Sequence, residues 1–258
     1  MSVLPHGDKQ GFPKGYQIRH LTEVDSTNDE ARCMAAQAEP MPTWIVADRQ
    51  TAGRGRRGRV WESPVGNLMT TLYLPQQFSS TQAGQVAFVA GLALESTVRA
   101  LLGETASVTL KWPNDVLVNG KKASGILLES TMRDAKIDWM AVGLGLNLAH
   151  HPDNTPYPAT HLQAEGAGAV SNLEALSILA NAFDSVFRQW QSTGFASILL
   201  AWRQVAHGLG GPIVARLENH AIEGIFLDIN ESGALLLKDA EGTTHTIDAA
   251  DVFFPESE

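Results

Sequence analysis

The chain has 258 residues, 44% of them hydrophobic and 18% charged, and its formal net charge is -9. This composition is typical of a globular protein with one sizeable core and a small appendage. The acidic balance argues against general nucleic-acid binding, for which a strongly basic surface is expected.

The ends of the chain and its single cysteine point to a reducing compartment. Cys33 is the only cysteine, which excludes an internal disulfide, and its surroundings predict a helix with a buried, structural thiol. We find no signal peptide and no apolar run near the roughly 20 residues of a membrane span. We therefore expect a cytoplasmic protein without a membrane partner. Residues 1–15 are rich in glycine and proline and predict an irregular arm, too short for a separate DNA-binding module.

The first third of the chain predicts alternating strands and helices. Strands are expected over residues 16–24, 43–47 and 67–74, and helices from residue 25 to about residue 38 and over residues 82–103. Ser26, Thr27 and Asn28 open the first helix. Their local pattern favours plain helix caps, although free hydroxyl and N–H groups at a helix start also form ligand sites.

Residues 53–59, Gly-Arg-Gly-Arg-Arg-Gly-Arg, concentrate four arginines in an acidic chain. Glycine lets the backbone take positive φ and approach a ligand, and arginine offers planar donors to phosphate or carboxylate. The stretch follows a predicted buried strand, where a rigid element can position a loop. By itself it fits an anion or nucleotide site and a solvated or nucleic-acid-binding loop about equally well.

A second informative stretch spans residues 108–129. A strand leads into Trp112-Pro113, and Asn119-Gly120 predicts a tight hairpin between residues 116–118 and 123–129. This arrangement brings Lys111, Asp115 and Lys122 towards one end of a sheet. Each charge alone is more often a solvated surface residue, but their grouping favours a site.

The rest of the chain predicts one more strand, two helices and a small β-barrel. Gly143 and Gly145 lie in an apolar strand over residues 141–148, where something is expected to approach the backbone closely. They lack the third glycine of a dinucleotide fingerprint, and the adjacent His150 and His151 predict a surface loop rather than a metal site. Helices are expected over residues 171–191 and 195–207, followed by short strands over residues 213–217, 221–228, 234–237 and 243–247.

Four motifs in the same order resemble those of biotin protein ligases, also called biotin–[acetyl-CoA-carboxylase] ligases. They are Gln50-x-Ala52-Gly53-Arg54-Gly55-Arg56-Arg57-Gly58-Arg59-x-Trp61, Lys111-Trp112-Pro113-Asn114-Asp115, Lys122-x-x-Gly125-Ile126-Leu127-x-Glu129, and Gly143-x-Gly145-x-Asn147. The resemblance covers residues 16 to 254. It implies an α/β (α+β) fold, in which a catalytic domain with a mixed sheet (residues 16–207) precedes an SH3-like barrel (residues 208–258).

The resemblance also implies a two-step reaction. Biotin and ATP, with Mg²⁺ accompanying ATP, would give biotinyl-5′-AMP, and a lysine of a biotin carboxyl carrier protein or domain, as in acetyl-CoA carboxylase, would then take the biotinyl group. Such chemistry asks for electrostatic positioning rather than a covalent nucleophile. No protein-only metal site is expected.

The resemblance assigns roles to individual residues. The catalytic residues would be Lys122, Arg56 and Asp115. The biotin-binding residues would be Ser26, Thr27, Asn28, Gln50, Gly53, Arg54, Gly55, Arg56, Trp61, Lys122, Gly125, Gly143 and Gly145. The residues that contact ATP or the adenylate would be Arg56, Arg57, Arg59, Lys111, Asn114, Asp115, Lys122 and Asn147.

Departures from the family pattern and alternative functions bear on this interpretation. Many bacterial relatives carry an N-terminal helix-turn-helix domain; none is expected here, and so no nucleic-acid partner. Some relatives have a C-terminal arginine near the adenine, where this chain reads Asp251-Val252-Phe253-Phe254.

A lipoate ligase or octanoyltransferase would show Arg-Arg-x-Ser-Gly-Gly, which is absent. A nucleic-acid-binding module would need stacking aromatics, and a non-catalytic biotin sensor would not need Lys122 and Asp115. A homodimer is compatible with the family.

Overall fold

The computed structural model describes residues 2–3, 11–103, 106–133, 136–153, 155 and 157–254. Its centre is an eight-stranded mixed sheet, in which the strands Gln17–Val24 and Thr43–Gln50 run parallel and every other neighbouring pair is antiparallel. In spatial order the strands are β1 (Ser2–Val3), β2 (Gln17–Val24), β3 (Thr43–Gln50), β4 (Leu68–Leu74), β8 (Lys136–Leu146), β7 (Lys121–Arg133), β6 (Asp115–Val118) and β5 (Val108–Lys111).

Four α-helices cover the two faces of this sheet, and serine side chains cap three of them. Ser26, Ser79 and Ser171 each accept a hydrogen bond from a backbone N–H of the first turn, which satisfies a donor that the helix itself cannot. The helices are α1 (Thr27–Ala36), α2 (Ser80–Leu102), α3 (Asn172–Thr193) and α4 (Phe195–Gln204).

The alternation of side chains along the strands divides the core into two layers. In β3, Trp44 and Val46 join the large cluster beneath α2, α3 and α4, whereas Ile45 joins a small cluster beneath α1. In β4, Leu72 and Tyr73 divide in the same way. Period-two side-chain geometry therefore places α1 alone on one face and the longer helices on the other.

Helix α2 differs from the sequence expectation in its apolarity. By length and composition it could cross a membrane, contrary to the expectation that no such segment exists, and it is the one such helix among the described residues. Ten of its residues are buried within the protein. Its apolarity is thus accounted for by packing against the sheet and α3.

A second, five-stranded antiparallel sheet follows the helices. In spatial order it contains β12 (Thr244–Ile247), β11 (Leu235–Lys238), β10 (Ala221–Ile229), β9 (Pro212–Arg216) and β13 (Asp251–Phe253). Four of these strands match the predicted barrel strands, but β13 was not predicted. This three-residue strand pairs with β9, and a segment so short has no periodicity of its own to reveal it. The sheet contacts the rest of the chain where Trp112 Nε1 donates to Gly233 O at 3.0 Å.

Three further expectations have definite outcomes. The Asn119-Gly120 hairpin is confirmed, since both residues have positive φ (50° and 77°) between β6 and β7. Cys33 is exposed, so the prediction of a buried thiol was wrong. Helix α1 buries Thr27, Ala31 and Met34, which leaves position 33 on the other side. The predicted irregular arm falls mostly on residues outside the described ranges, but Ser2–Val3 pairs with β2.

Candidate active site

A cavity of about 360 Å³ opens between the arginine loop (residues 53–59), the start of α1 and the strands β6, β7 and β8. Most of the site residues predicted from the sequence line it. They are Ser26, Thr27, Asn28, Gln50, Arg54, Gly55, Arg56, Arg59, Trp61, Lys111, Asn114, Asp115, Lys122, Gly125, Gly143, Gly145 and Asn147. Segments from four distant parts of the chain therefore meet at one concave surface, as is usual for ligand sites.

The cavity wall is electropositive, although the whole chain is acidic. Three acidic side chains line it: Glu62, Asp115 and Asp251. Five basic side chains face them: Arg54, Arg56, Arg59, Lys111 and Lys122. Such a concentration of positive charge in a concave surface favours an anionic ligand.

Two of the lining residues, Lys122 and Asp115, form an ion pair. Lys122 Nζ lies 2.7 Å from Asp115 Oδ1. The register of β6 and β7 shifts between Val116 and Leu117, so that Asp115 lies opposite Gly125 and Leu117 opposite Lys122. In a regular strand, the side chains at positions 122 and 125 would point to opposite faces. The bulge brings both positions to the same face. A Cβ at Gly125 would lie 3.2 Å from the Trp61 ring and 3.5 Å from Lys122 Cε, so the glycine leaves room chiefly for the tryptophan.

The buried carboxylate of Asp115 is compensated by Lys122. Among the described residues, no donor meets hydrogen-bond geometry at its Oδ1, but the Lys122 ammonium lies 2.7 Å away. A buried carboxylate is costly unless it is paired, and this ion pair supplies the partner. Because Asp115 lines the cavity, its carboxylate can also accept a hydrogen bond from a bound molecule.

The four arginines of the loop differ in their partners. Arg54 makes a two-pronged contact with Asp29 of α1, at 2.5 and 2.8 Å. Arg57 and Arg59 both pair with Asp251 of β13. Within the described ranges, Arg56 alone of the four makes no ion pair; its Nη1 donates to Asn114 Oδ1 at 3.1 Å. Burial lowers the pKa of Arg56 from its ordinary value, yet an arginine of this kind stays charged.

The start of α1 is tied to the sheet by a network of polar side chains. The hydroxyl of Thr27 donates to Gln50 Oε1 at 3.0 Å, and Gln50 Nε2 donates to Ser63 Oγ at 2.9 Å. The Thr71 hydroxyl lies 2.7 Å from Thr27 Oγ1 and 2.6 Å from Asn28 Oδ1. The cap interpretation is thus correct for Ser26, while Thr27 and Asn28 turn towards the sheet and line the cavity.

Two glycines of β8 allow close contacts in the cavity wall. A Cβ at Gly143 would lie 2.4 Å from Asn28 Oδ1, and a Cβ at Gly145 would lie 2.4 Å from the ring of Trp61. Both distances are far below van der Waals contact. The expected close approach to the backbone is therefore confirmed, and inside the protein the approaching groups are Asn28 and Trp61.

Gly143→Ala is expected to destabilise the fold by about 1–3 kcal/mol, the usual cost of overpacking. Asn28 cannot easily move aside, because its side chain is held by Thr71 and by Glu129 at 2.7 Å. Urea unfolding would measure the loss. Gly84→Ala is the matched control, since nothing lies within 4 Å of a Cβ at that position in α2. It should stabilise by about 0.5–1 kcal/mol, and equal stability of both variants would contradict the packing argument.

Lys111 is buried against aromatic rings. Its Nζ lies 3.4 Å from the centroid of the Tyr157 ring, which stacks on Phe253 of β13 with 4.8 Å between centroids. Burial lowers the pKa of Lys111 to about 8, against the opposing attraction of Asp115 and Asp251. The amine therefore changes charge near neutral pH, and the rings favour its charged form.

Sequence reasoning missed several polar residues of the site. Tyr157 and Asp251 line the cavity, but they come from an irregular loop and a three-residue strand that carry no local signal. Thr71 and Glu129 support Asn28 from neighbouring strands. Glu129 was visible as the last residue of the third motif, whereas nothing distinguishes Thr71 from an ordinary strand residue.

Two predicted site residues do not line the cavity. A Cβ at Gly53 would lie 2.5 Å from Trp61 O, so this glycine permits a backbone contact inside the loop. Arg57 has φ 55° and directs its side chain to Asp251. Positive φ, expected for the loop glycines, occurs at Gly58 and is not found at Gly53 or Gly55. Asn147 lines the cavity, and its amide nitrogen donates to Thr160 O at 3.0 Å.

Comparison with known proteins agrees with this geometry. Residues 21–147 match the model of the biotin/lipoate A/B protein ligase family, and residues 208–254 match that of the biotin protein ligase C-terminal domain. A biotin–[acetyl-CoA-carboxylase] ligase of Paracoccus denitrificans is 43% identical over 91% of this chain and 99% of its own length.

Solved structures agree as well. Biotin protein ligase from Aquifex aeolicus, in complex with biotin and ATP, superposes with a TM-score of 0.77 at 26% identity, covering 92% of this chain and 98% of that one. The enzyme from Leishmania major in complex with biotinyl-5-AMP gives a TM-score of 0.63 at 28% identity, over 92% of this chain and all of that one. The predicted fold class, with its mixed sheet and small C-terminal sheet, is confirmed. The chain belongs to the biotin protein ligase family.

Proposed function

We propose that this cavity forms biotinyl-5′-AMP from biotin and ATP, and that the enzyme then transfers the biotinyl group to a lysine of a biotin carboxyl carrier protein. The observation that carries the proposal is the Lys122–Asp115 pair at 2.7 Å, beside Arg56, which has no carboxylate partner among the described residues. Lys122 and Arg56 thus place two cations in one cavity. Together they can bind two anions that must be brought together, a carboxylate and a phosphate.

In the first step, the biotin carboxylate attacks the α-phosphorus of ATP and pyrophosphate leaves. Lys122 would reduce the repulsion between the two anions and stabilise charge on the phosphoryl oxygens. Arg56 would bind the α-phosphate through its planar donors. Both act by position and charge, which is what phosphoryl transfer requires of a protein.

Magnesium would enter with the phosphates of ATP. No group of three or more His, Cys, Asp or Glu side chains able to hold a metal occurs among the described residues. Mg²⁺ commonly binds through one or two carboxylates together with substrate phosphates. The cavity carboxylates, which are Glu62, Asp115 and Asp251, have the oxygen donors that this ion prefers. When bound, it would neutralise phosphate charge.

In the second step, the acceptor amine attacks the acyl carbon of the mixed anhydride, and AMP leaves. The carboxylate of Asp115, which lines the cavity, would accept a hydrogen bond from that amine and orient it. The expected acceptor is the biotin carboxyl carrier protein or domain of acetyl-CoA carboxylase or a related carboxylase. The acetyl-CoA-carboxylase in the name of the Paracoccus relative supports this expectation.

The polar network at the start of α1 would recognise the biotin head group. The ureido ring has one carbonyl acceptor and two N–H donors, and hydroxyl and amide groups can match both. Thr27, Asn28 and Gln50 already form a connected set whose geometry is fixed by Thr71 and Ser63. Fixed partners of this kind give specificity, because a ligand lacking the ring leaves buried groups unpaired. Trp61 and the glycines at 143 and 145 would form the adjoining wall.

A test for enzyme-bound acyl-adenylate separates this function from that of lipoate ligases, which share the matched family model. The protein would be incubated with Mg²⁺ and ATP, together with biotin or lipoate, and the bound products identified by mass spectrometry. Biotinyl-adenylate alone is the expected result. Lipoyl-adenylate would move the enzyme to the sister class, and the absence of both would contradict ligase function.

Adenylate formation is expected to weaken as pH rises through about 8, the pKa of Lys111. Burial favours the neutral amine, so Lys111 carries positive charge below this pH and loses it above. If it contacts the phosphates, kcat/KM for ATP should fall by up to about tenfold per pH unit above the pKa. Measuring pyrophosphate release without acceptor isolates this step. Lys111→Arg should move the decline upwards, because arginine stays charged; an unchanged profile would argue against a phosphate contact.

Several other predictions accompany the function. The chain is expected to divide into an arm (residues 1–15), a catalytic domain (16–207) and a barrel (208–258), and to act in the cytoplasm. It is expected to bind no nucleic acid, which salt-dependent retention on DNA would contradict. A homodimer is compatible with the family and would be detected by light scattering.

A further inference from the structure

The arginine loop is held at both ends by carboxylates from different parts of the fold. Arg54, near its beginning, binds Asp29 of α1. At its other end, Arg57 lies 3.3 Å from Asp251 Oδ2, and Arg59 pairs with the same oxygen. Asp251 belongs to β13, so its carboxylate joins the C-terminal sheet to a loop almost 200 positions earlier in the sequence.

Between these anchors the loop is also held by Arg56, whose Nη1 donates to Asn114 Oδ1 at 3.1 Å. Three backbone hydrogen bonds close it: Gly55 N to Arg59 O at 2.7 Å, Trp61 N to Gly53 O at 3.0 Å, and Arg59 N to Arg56 O at 3.2 Å. The side chains of Arg57 and Arg59 are about half exposed, whereas that of Asp251 is 20% exposed. The carboxylate is thus the more buried partner, and the arginines are the more exposed ones.

One carboxylate shared by two guanidinium groups leaves this end of the loop positive. Asp251 also lines the cavity, and its charge opposes the burial that lowers the pKa of both Lys111 and Arg56. It can therefore fix the loop without removing the attraction of the site for a phosphate.

We propose that Asp251 is a positioning residue: by holding Arg57 and Arg59 it keeps the arginine loop over the cavity, so that the C-terminal sheet controls retention of the adenylate. The role in retention rests on the proposed ligase function. The role in holding the loop does not, and the two are measured separately.

The first measurement is hydrogen–deuterium exchange of the full-length protein without ligand, followed at peptides covering residues 53–61. Asp251→Asn should raise exchange of the three bonded loop amides about fivefold, the factor expected from losing two partly exposed ion pairs. Asp251→Glu should stay near the wild-type rate. Glu241→Gln, in an exposed turn of the same sheet, is the control for charge alone and should leave exchange unchanged.

The second measurement is the rate at which preformed biotinyl-adenylate leaves the enzyme. Asp251→Asn should accelerate release several-fold, and Asp251→Glu should restore retention, which a purely structural role for the side chain would not predict. Slower release in Asp251→Asn would mean that the carboxylate repels the phosphate, and it would overturn the proposal.

The two measurements distinguish the possible failures. Unchanged loop exchange in Asp251→Asn overturns the anchoring role whatever the enzyme catalyses. Faster exchange with unchanged release overturns control of the adenylate but leaves the anchor. Faster exchange in a protein whose wild type forms no adenylate contradicts the proposed function alone.

Discussion

Lys122→Ala is expected to lower kcat/KM for adenylate formation by about 10²–10³-fold, the loss typical of removing one preorganised group that stabilises charge. The lysine is held 2.7 Å from Asp115 and faces the ring of Trp61 at 5.7 Å, so its position is fixed before substrate arrives. Pyrophosphate release in the presence of biotin and ATP measures the effect.

The neighbouring lysine provides a matched control. Lys121 lies on the same strand but points to solvent, where it pairs with Glu165 at 3.2 Å. Lys121→Ala should keep full activity and change stability by less than about 0.5 kcal/mol. Equal losses in both variants would show that the strand, rather than the Lys122 amine, had been disturbed.

Stability must be separated from chemistry in this experiment. Lys122→Ala leaves the buried Asp115 carboxylate without its cation, which should cost about 1–3 kcal/mol. The double variant Lys122→Ala/Asp115→Ala removes both charges and should regain much of this stability while remaining inactive. Recovery of activity along with stability would contradict the catalytic role of Lys122.

The parts of the site that could be predicted from the sequence are those encoded within a few residues. Asn119-Gly120 specifies its hairpin, because both positions take positive φ. The hairpin then brings Lys122 to Asp115, only seven positions earlier. Gly143 and Gly145 in an apolar strand indicated close approach, and the distances from Asn28 and Trp61 agree.

The parts that could not be predicted depend on contacts between distant segments. Asp251 reaches the arginine loop only because β13 pairs with β9, and no local pattern marks a strand of three residues. Tyr157 reaches the cavity because its loop runs beside Lys122, with Lys122 N donating to Pro158 O at 2.8 Å. The buried face of α1 likewise depends on how the helix packs on the sheet. The prediction that the Cys33 thiol is buried was therefore wrong.

Among the four loop arginines, the sequence alone offers no ranking, whereas their partners in the structure do. Arg54 pairs with the carboxylate of Asp29, while Arg57 and Arg59 share that of Asp251. Arg56 donates to the neutral amide oxygen of Asn114, which is itself fixed by donating to Ile126 O at 2.8 Å. A guanidinium held in place by a neutral partner keeps its full charge for a ligand. We therefore expect Arg56 to bind phosphate and the other three arginines mainly to hold the loop in shape.

Arg56→Gly is accordingly expected to release the adenylate rather than prevent its formation. Losing a hydrogen bond between charged groups should cost about 1.5–3 kcal/mol, which corresponds to release about tenfold to a hundredfold faster. Because the free mixed anhydride reacts with any amine, lysines of unrelated proteins should become biotinylated. Incubating the variant with biotin, ATP and a bystander protein, and then probing with labelled streptavidin, measures this loss of specificity.

Two further variants show which property of Arg56 retains the adenylate. Arg56→Lys keeps the charge but loses the planar pair of donors, so it should leak at a rate between those of wild type and Arg56→Gly. Arg49→Ala removes an arginine that lies on β3 just before the loop and pairs with Glu23 at 3.2 Å; labelling should stay confined to the acceptor. If Arg56→Gly also labels only the acceptor, the adenylate is held by other groups, and the remaining candidates are Lys111 and Lys122, whose amines face the same cavity.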